Sequence, residues 1–475
     1  MARFLSKCCY RSLSSKVGPG LTKLPVPGDY RNPLKILKGD ILGRESKVIV
    51  PRESDVIIIG GGLIGSSVAY WLKQRNPKGF SCTVIEKDLS YSKAASVQSM
   101  GYLSTHFMHP QYMRLAMYCR EFLEDINDKL SVLDEKPPDI EFTPMSHLTL
   151  ATSSGLELLT DMYAVQKEAG VDVNLLSSEQ IKSQFPWMNT DDLECGLLGL
   201  RNEGLFNPVA LLAALRNKAI SLGVKYVEGE VIGMELENKA TAYATEGVIE
   251  EPFIQYINVL KDKFIHPIRT LFLVNAAGAN AARVAEYAKI GVKSGTRADL
   301  RIPLPISERK LSLFLIHCPN GPTLDLPIIS DPVSGIHISR RGLGGDYICH
   351  SHILEAEEVN ANTTDEINES FYHEKLLPAL IHRIPAFKES ELKGGWCSRY
   401  DYNYEDEHLI IGNHHHHKNM LFASGSGIHA PLFAPGIGRA IMENVIDEGY
   451  RSVQLDEFSF TRFLIDRNIP YLRVS

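Results

Sequence analysis

An α/β fold is expected, with a Rossmann-type nucleotide-binding domain assembled from discontinuous segments and a second, β-sheet-rich substrate or cap domain. Three observations predict it. Residues 55–85 run strand, glycine-rich turn, helix, strand, which is one βαβ unit. Two later stretches, 273–278 and 422–427, are again short apolar strands that run into small residues. Between them, 311–318 and 327–349 are strand-rich and supply a separate sheet. The boundaries drawn on this basis are 53–130, 204–300 and 394–460 for the nucleotide-binding domain and 131–203 and 301–393 for the cap. Residues 1–28 form a leader, 29–52 a linker and 461–475 a C-terminal tail.

The first strand, Asp55-Val56-Ile57-Ile58-Ile59, is apolar without alternation, as a parallel strand covered on both faces must be. A helix from Leu63 to Gln74 follows, then the strand Cys82-Thr83-Val84-Ile85. Leu115, Tyr118, Phe122, Ile126, Leu130 and Leu133 recur at helical spacing. Asn207-Pro208 is a cap followed by a first-turn proline, and Gly223 stops the helix they open. Pro435-Gly436 is expected to open another helix, closed by Gly449. The stretches 224–236 and 242–274 read as strands.

A chain of 475 residues exceeds one ordinary core, and its 44% hydrophobic and 23% charged content is that of a folded globule. No run of about 18 uncharged apolar residues is present to span a bilayer as a helix, which leaves peripheral membrane contact open. Residues 1–28 carry Arg3, Lys7, Arg11, Lys16 and Lys23 and no Asp or Glu. Arg3, Lys7 and Arg11 share one helical face within an acid-free, Ser-rich segment, the profile of a mitochondrial transit peptide. Setting that segment aside leaves 45 basic against 57 acidic residues, a net charge of −12. So acidic a body excludes a nucleic-acid backbone as partner.

Eight cysteines, at 8, 9, 82, 119, 195, 318, 349 and 397, form no CxxC pair and no zinc spacing, and read as small core residues. His414-His415-His416-His417 is expected to be a solvated loop, because four adjacent imidazoles cannot converge on one ion. No metal is expected.

Gly60-Gly61-Gly62-Leu63-Ile64-Gly65 is a GxGxxG placed between strand and helix, and Glu86 follows Gly65 by 21 residues at the end of the second strand. Gly60 permits the tight turn, Gly62 lets a pyrophosphate approach the backbone, and Gly65 lets helix pack on strand. Glu86 accepts hydrogen bonds from ribose hydroxyls, and the helix N-terminus faces the phosphates. A nicotinamide dehydrogenase domain would continue winding βαβ units after Glu86. Here Lys93 to Tyr102 is small and polar, including Ser96 and Gly101, and suits a backbone passing a pyrophosphate and a flavin ring. No second GxGxxG follows a later strand, so FAD is the expected cofactor and a nicotinamide does not reduce it. Val231 closes a strand at the adenine side, Gly278 ends a strand beside the nucleotide, and Gly425 and Gly436 belong to a strand–turn–helix whose N-terminus faces the flavin.

With these residues in place the chain resembles the D-amino-acid-oxidase-type FAD oxidoreductases, the superfamily of sarcosine and dimethylglycine dehydrogenases, from about residue 53 to 460. The resemblance is densest at Ala69-Tyr70-Trp71-Leu72-Lys73, Phe185-Pro186-Trp187, Glu203-Gly204, Arg309-Lys310, Tyr400-Asp401-Tyr402-Asn403 and Ala434 to Ala440. It implies hydride removal from a small amino or hydroxy acid, with Arg399 holding the carboxylate, Tyr400 and Tyr402 lending hydroxyls, His429 acting as acid or base and Lys310 near the flavin. Each also has an ordinary structural reading, from surface ion pair to core histidine. Members that bond the flavin to cysteine carry it where Arg399 stands, which implies non-covalent FAD. Gly425 to Ala430 departs from the family's Gly-Phe-Ser-Gly-His-Gly, with Ile428 before His429, and Asn280 stands where a tryptophan is common. Within the superfamily the likeness is to a mitochondrial branch serving assembly of respiratory complex I. That implies complex I subunits or assembly intermediates as partners, a matrix location peripheral to the inner membrane, and a flavin whose catalytic use stays open.

Overall fold

The computed structural model describes residues 49–201, 203–244, 247–292, 298–331, 334–351, 366–465 and 468–469. The expected leader and nearly all of the linker lie outside these. β1 (Glu53–Ile59), α1 (Leu63–Arg75) and β2 (Cys82–Glu86) form the expected βαβ unit. β1 pairs in parallel with β2 on one side and with the strand Phe264–Asn275 on the other, Ile59 opposite both Ile85 and Asn275. Val56 and Ile58 face a helical layer while Ile57 and Ile59 enter a second core behind the sheet, which is why the strand needs four consecutive apolar residues. Lys225–Glu228 continues this sheet beyond β2. Met420–Ser424 adds to Phe264–Asn275, and Ile410–Asn413 adds to Met420–Ser424. Three long antiparallel strands, Glu230–Ala244, Gly247–Lys261 and Phe264–Asn275, extend it at the other edge.

α1 is buried from Leu63 to Lys73 because it lies between the helices Pro208–Ser221 and Ala430–Asp447. A Cβ on Gly438 would stand 2.2 Å from Ser67 Oγ, so glycine sets the closeness of this contact. The last helix starts at Ala430, five residues before the expected opening at Pro435-Gly436, and puts both residues in its interior. The Trp71 indole donates to the Pro435 carbonyl at 2.8 Å, and Gly436 lets Leu115 and Cys119 of the helix Pro110–Glu124 approach. It ends with Glu448 in the left-handed region, one residue before Gly449.

The second sheet has eight strands in the order Glu391–Asn403, Ile306–His317, Asp346–Ser351, Ile336–Arg341, Ile328–Asp331, His147–Ala151, Cys195–Gly199 and Val173–Ser177. Glu391–Asn403 runs ten residues past the boundary drawn at 393, since its pairing with Ile306–His317 continues to Asn403. Phe314, Ile316, Phe371, Tyr372 and Leu380 cover the outer face of this sheet. The described start of the segment expected as a tail, 461–465, is anchored. Arg462 is buried, and its Nε donates to Asp406 Oδ2 at 2.7 Å.

His414 to His417 are not solvated. His414, His416 and His417 are buried, with His414 packed on Phe422 and Phe460, and burial lowers the His417 pKa to about 4. Among the described residues no group of His, Cys, Asp or Glu has the arrangement to hold a metal ion, and no helix is long and apolar enough to cross a membrane. The six described cysteines are buried and unbridged.

Candidate active site

The turn after β1 takes the shape its glycines permit. Gly60 has φ +98°, and a Cβ there would lie 2.3 Å from the Ala276 carbonyl oxygen. A Cβ on Gly65 would meet the Gly60 carbonyl oxygen at 1.9 Å, so helix and strand touch only through glycine. α1 has no acidic residue in its first turn and no side chain of its own Gly62 cap, and the Leu63 N–H donates to Ser96 Oγ at 3.0 Å. The Glu86 carboxylate accepts the Gly61 N–H at 2.7 Å and the Asp88 N–H at 3.0 Å; burial raises its pKa while these bonds oppose the rise. A carboxylate has about four acceptor positions, which leaves room for ribose hydroxyls. Tyr91 Oη, 2.9 Å from where a Gly61 Cβ would stand, is buried without a hydrogen-bond partner. An orphaned buried hydroxyl and a helix N-terminus with no acidic residue in its first turn, beside a carboxylate, fit the adenosine-diphosphate half of FAD.

The other expected cofactor residues divide. Gly278, with φ +55°, has open space where a Cβ would be. Gly425, with φ +75°, packs on the His408 carbonyl and lines the cavity described below. Gly101 is buried for a different reason, because a Cβ would lie 1.9 Å from the Phe206 carbonyl oxygen. Val231 is a core residue paired with Val259, and Gly436 lies inside a helix rather than at its N-terminus.

Between the two sheets lies a cavity of about 690 Å³. The nucleotide-binding side contributes Ala95, Ser99, Met100 and the turn from Gly425 to Ala430, and the second sheet supplies Tyr400, Tyr402 and Arg309. His429 lines the cavity edge-on to Phe107, with ring centroids 5.1 Å apart. The Arg309 guanidinium stacks over the Tyr402 ring, 3.2 Å from its centroid, and the Tyr402 hydroxyl donates to Glu407 at 2.7 Å.

Arg399 and Lys310 do not line the cavity. They face one another across the strand pair, so they share the opposite face, while the neighbouring pair Arg309 and Tyr400 faces inward. Arg399 is bonded to Glu308, and the Lys310 ammonium donates to the Glu366 carbonyl at 2.9 Å. The cation of the cavity is Arg309, one residue from the expected lysine.

The opposite wall was not anticipated from the sequence. Thr149, Ser330, His337 and His350 stand in one row across four adjacent strands, with His147 two residues before Thr149 on the same face. His106, Ser104 and Tyr102 pack against this row. His-Leu-Thr-Leu at 147–150 and Ile-His-Ile-Ser at 336–339 alternate polar with apolar residues, the signature of a sheet with one wet face. Burial holds the His106 pKa down to about 3 and that of His147 well below the ordinary histidine value, so both rings are neutral.

The sequence profile of the family described as DAO, FAD dependent oxidoreductase, matches residues 55–444. The chain is 37% identical over 428 residues to FAD-dependent oxidoreductase domain-containing protein 1 of Xenopus laevis, covering 88% of this chain and 85% of the relative. It is 35% identical over 442 residues to the protein of the same name in Bos taurus, covering 92% and 88%. Among solved structures, L-proline dehydrogenase from P.horikoshii superposes with a TM-score of 0.71 at 20% identity, covering 88% of this chain and 100% of that one.

Proposed function

The chain belongs to the FAD dependent oxidoreductase family, and from that premise we propose that its cavity oxidises a small amino or hydroxy acid. Bound along the turn after β1, FAD supplies an acceptor for two electrons as hydride. One observation carries the reading: the turn from Gly425 to Ala430 and the cation Arg309 line the same cavity from opposite domains. Arg309 holds a carboxylate there in place of the expected Arg399, and Tyr402, held by Glu407, fixes the stacked guanidinium. Tyr400 lends a hydroxyl to the substrate, and His429 borders it at the start of the last helix. The test is anaerobic addition of small amino and hydroxy acids while the flavin spectrum is followed. At least one bleaches the flavin; no bleaching across the panel contradicts the reading.

A second role, in assembly of respiratory complex I within the mitochondrial matrix, rests on the likeness to the family branch that serves it and on one surface feature. The hairpin turn at Asp262-Lys263 joins two long strands and presents Phe264 and Ile265, 70% and 59% exposed, beside Leu260. An apolar tip of this kind suits a partner subunit. Changing Arg3, Lys7 and Arg11 together to Glu removes the face on which import acts, and is expected to leave the protein outside mitochondria with reduced complex I activity. Normal matrix localisation contradicts the targeting, and normal complex I in cells lacking the protein contradicts the assembly role.

A further inference from the structure

Beyond the flavin side of the cavity, the second sheet carries a line of hydrogen-bonding groups that runs inward from the cavity toward a buried carboxyl. Ser330 Oγ lies 2.8 Å from His337 Nδ1 and 2.8 Å from His147 Nε2. His147 Nδ1 lies 2.9 Å from Ser104 Oγ and 3.8 Å from Glu203 Oε2, a buried acceptor without a hydrogen-bond partner. Ser104, His147, Ser330 and His337 line the cavity, and Glu203 lies behind them, 2% exposed. We propose that these five residues form a proton path, with Glu203 as the terminal acceptor of the proton that the substrate gives up.

The inference rests on the oxidising role proposed above and states where its proton goes. As the substrate C–H bond breaks, its electron pair leaves as hydride to oxidised FAD. The N–H or O–H bond breaks heterolytically, and its electron pair becomes the second bond of the imine or carbonyl product. The released proton is taken on one ring nitrogen of His337 while the other passes its proton to Ser330. The transfer repeats through His147 and Ser104, and Glu203 ends protonated. Charge and electrons balance with FAD as the oxidant.

Physical chemistry favours this direction. Burial makes the imidazolium of His147 costly, so a proton passes through that ring without resting there. Burial also raises Glu203 to about 7 against the bonds from Thr105, so its carboxyl takes a proton near neutrality. The other titratable groups facing the path are Tyr102, whose hydroxyl lies 2.9 Å from His147 Nε2, His106, 3.8 Å from Glu203, and His350, stacked on His337. Burial raises Tyr102 well above the ordinary phenol value and keeps it protonated at neutral pH. A Cβ on Gly199 would stand 2.8 Å from both Glu203 Oε1 and His106 Nε2, so glycine leaves the room this end of the path occupies.

Holoprotein labelled at its histidine ring nitrogens, without substrate, tests continuity by NMR. In the wild-type protein His147 and His337 both report one ionisation near neutrality. Glu203→Gln abolishes it at both rings, Ser330→Ala abolishes it at His337 alone, and Ser330→Thr restores it. Rings that titrate unchanged in Glu203→Gln overturn the proposal, whether or not a substrate is known. With a substrate that bleaches the flavin, Ser330→Ala slows bleaching on the order of 10²-fold without weakening substrate binding. Glu203→Gln removes the rise in rate through about pH 7. A wild-type rate and pH profile in both variants also overturns it. Coupled rings together with no bleaching by any amino or hydroxy acid would instead strike the oxidising reading.

Discussion

Asp401 and Gly427 are joined carboxylate to amide, the Gly427 N–H donating to Asp401 Oδ1 at 3.0 Å. The N–H groups of Gly425 and Ser426 donate to the other oxygen, so one buried carboxylate organises the turn that opens the last helix and lines the cavity. Burial raises its pKa to about 6 against these bonds. Removing it strands three inward amides. Asp401→Ala is expected to cost about 2–4 kcal/mol of stability, read by urea unfolding, and to loosen FAD. Wild-type stability and FAD retention would show that the turn stands without it.

The glycine turn after β1 gives a sharper cofactor test. Gly62→Val places methyls toward Ser96 Oγ, already 2.9 Å from a single Cβ, and Glu86→Ala removes the acceptor beside it. Both purified variants are expected to lose FAD on gel filtration while keeping a folded circular-dichroism spectrum. A Gly62→Val protein as yellow as wild type contradicts the binding site.

How far the sequence carried the reading follows from what each signal reports. GxGxxG with Glu86 is a local pattern, and the βαβ unit formed where it stood. Pro435 was read as a first-turn proline because that position needs no N–H. In the fold Trp71 bonds its carbonyl deep inside a helix, a partner 364 residues away. The choice between Arg309 and Lys310 turns on strand parity, which only the register with Tyr400 fixes. The wall of His147, Ser330 and His337 comes from three strands that meet only in the sheet, although the alternation within each strand was visible. His414, His416 and His417 are buried where a solvated loop is expected from four adjacent imidazoles, because Phe422 and Phe460 cover His414.

The pKa of Glu203, raised from 4.5 to about 7, has a consequence for stability that needs no substrate. The folded chain binds this proton more tightly than the unfolded chain. The group's contribution is therefore fully present below about pH 4.5 and is lost as pH rises through about 7. At ~1.4 kcal/mol per pKa unit the loss is on the order of 3 kcal/mol. Urea unfolding of wild type and Glu203→Gln at about pH 5 and about pH 8 should show the wild type losing more. Parallel losses would place Glu203 in an ordinary solvated environment.

The resemblance implies that the FAD is held without a covalent bond, and no cysteine is among the described residues that line the cavity. Acid precipitation should send all yellow colour to the supernatant. Colour retained in the pellet would contradict this, and buried Cys397, on the strand that carries Arg399, would be the residue to examine.

The strand parity that turns Arg309 inward and Arg399 outward makes the oxidising cavity directly testable. With a substrate that bleaches the flavin, anaerobic rapid mixing gives its Kd and reduction rate in wild type, Arg309→Met and Arg399→Met. Arg309→Met should weaken binding on the order of 10²-fold, since losing one partner of a desolvated charge pair costs a few kcal/mol. Arg399→Met, which breaks the half-exposed contact with Glu308 on the face away from the cavity, should leave both constants unchanged. Unaltered binding in Arg309→Met, or a larger loss in Arg399→Met, would mean that the substrate does not lie between these two sheets.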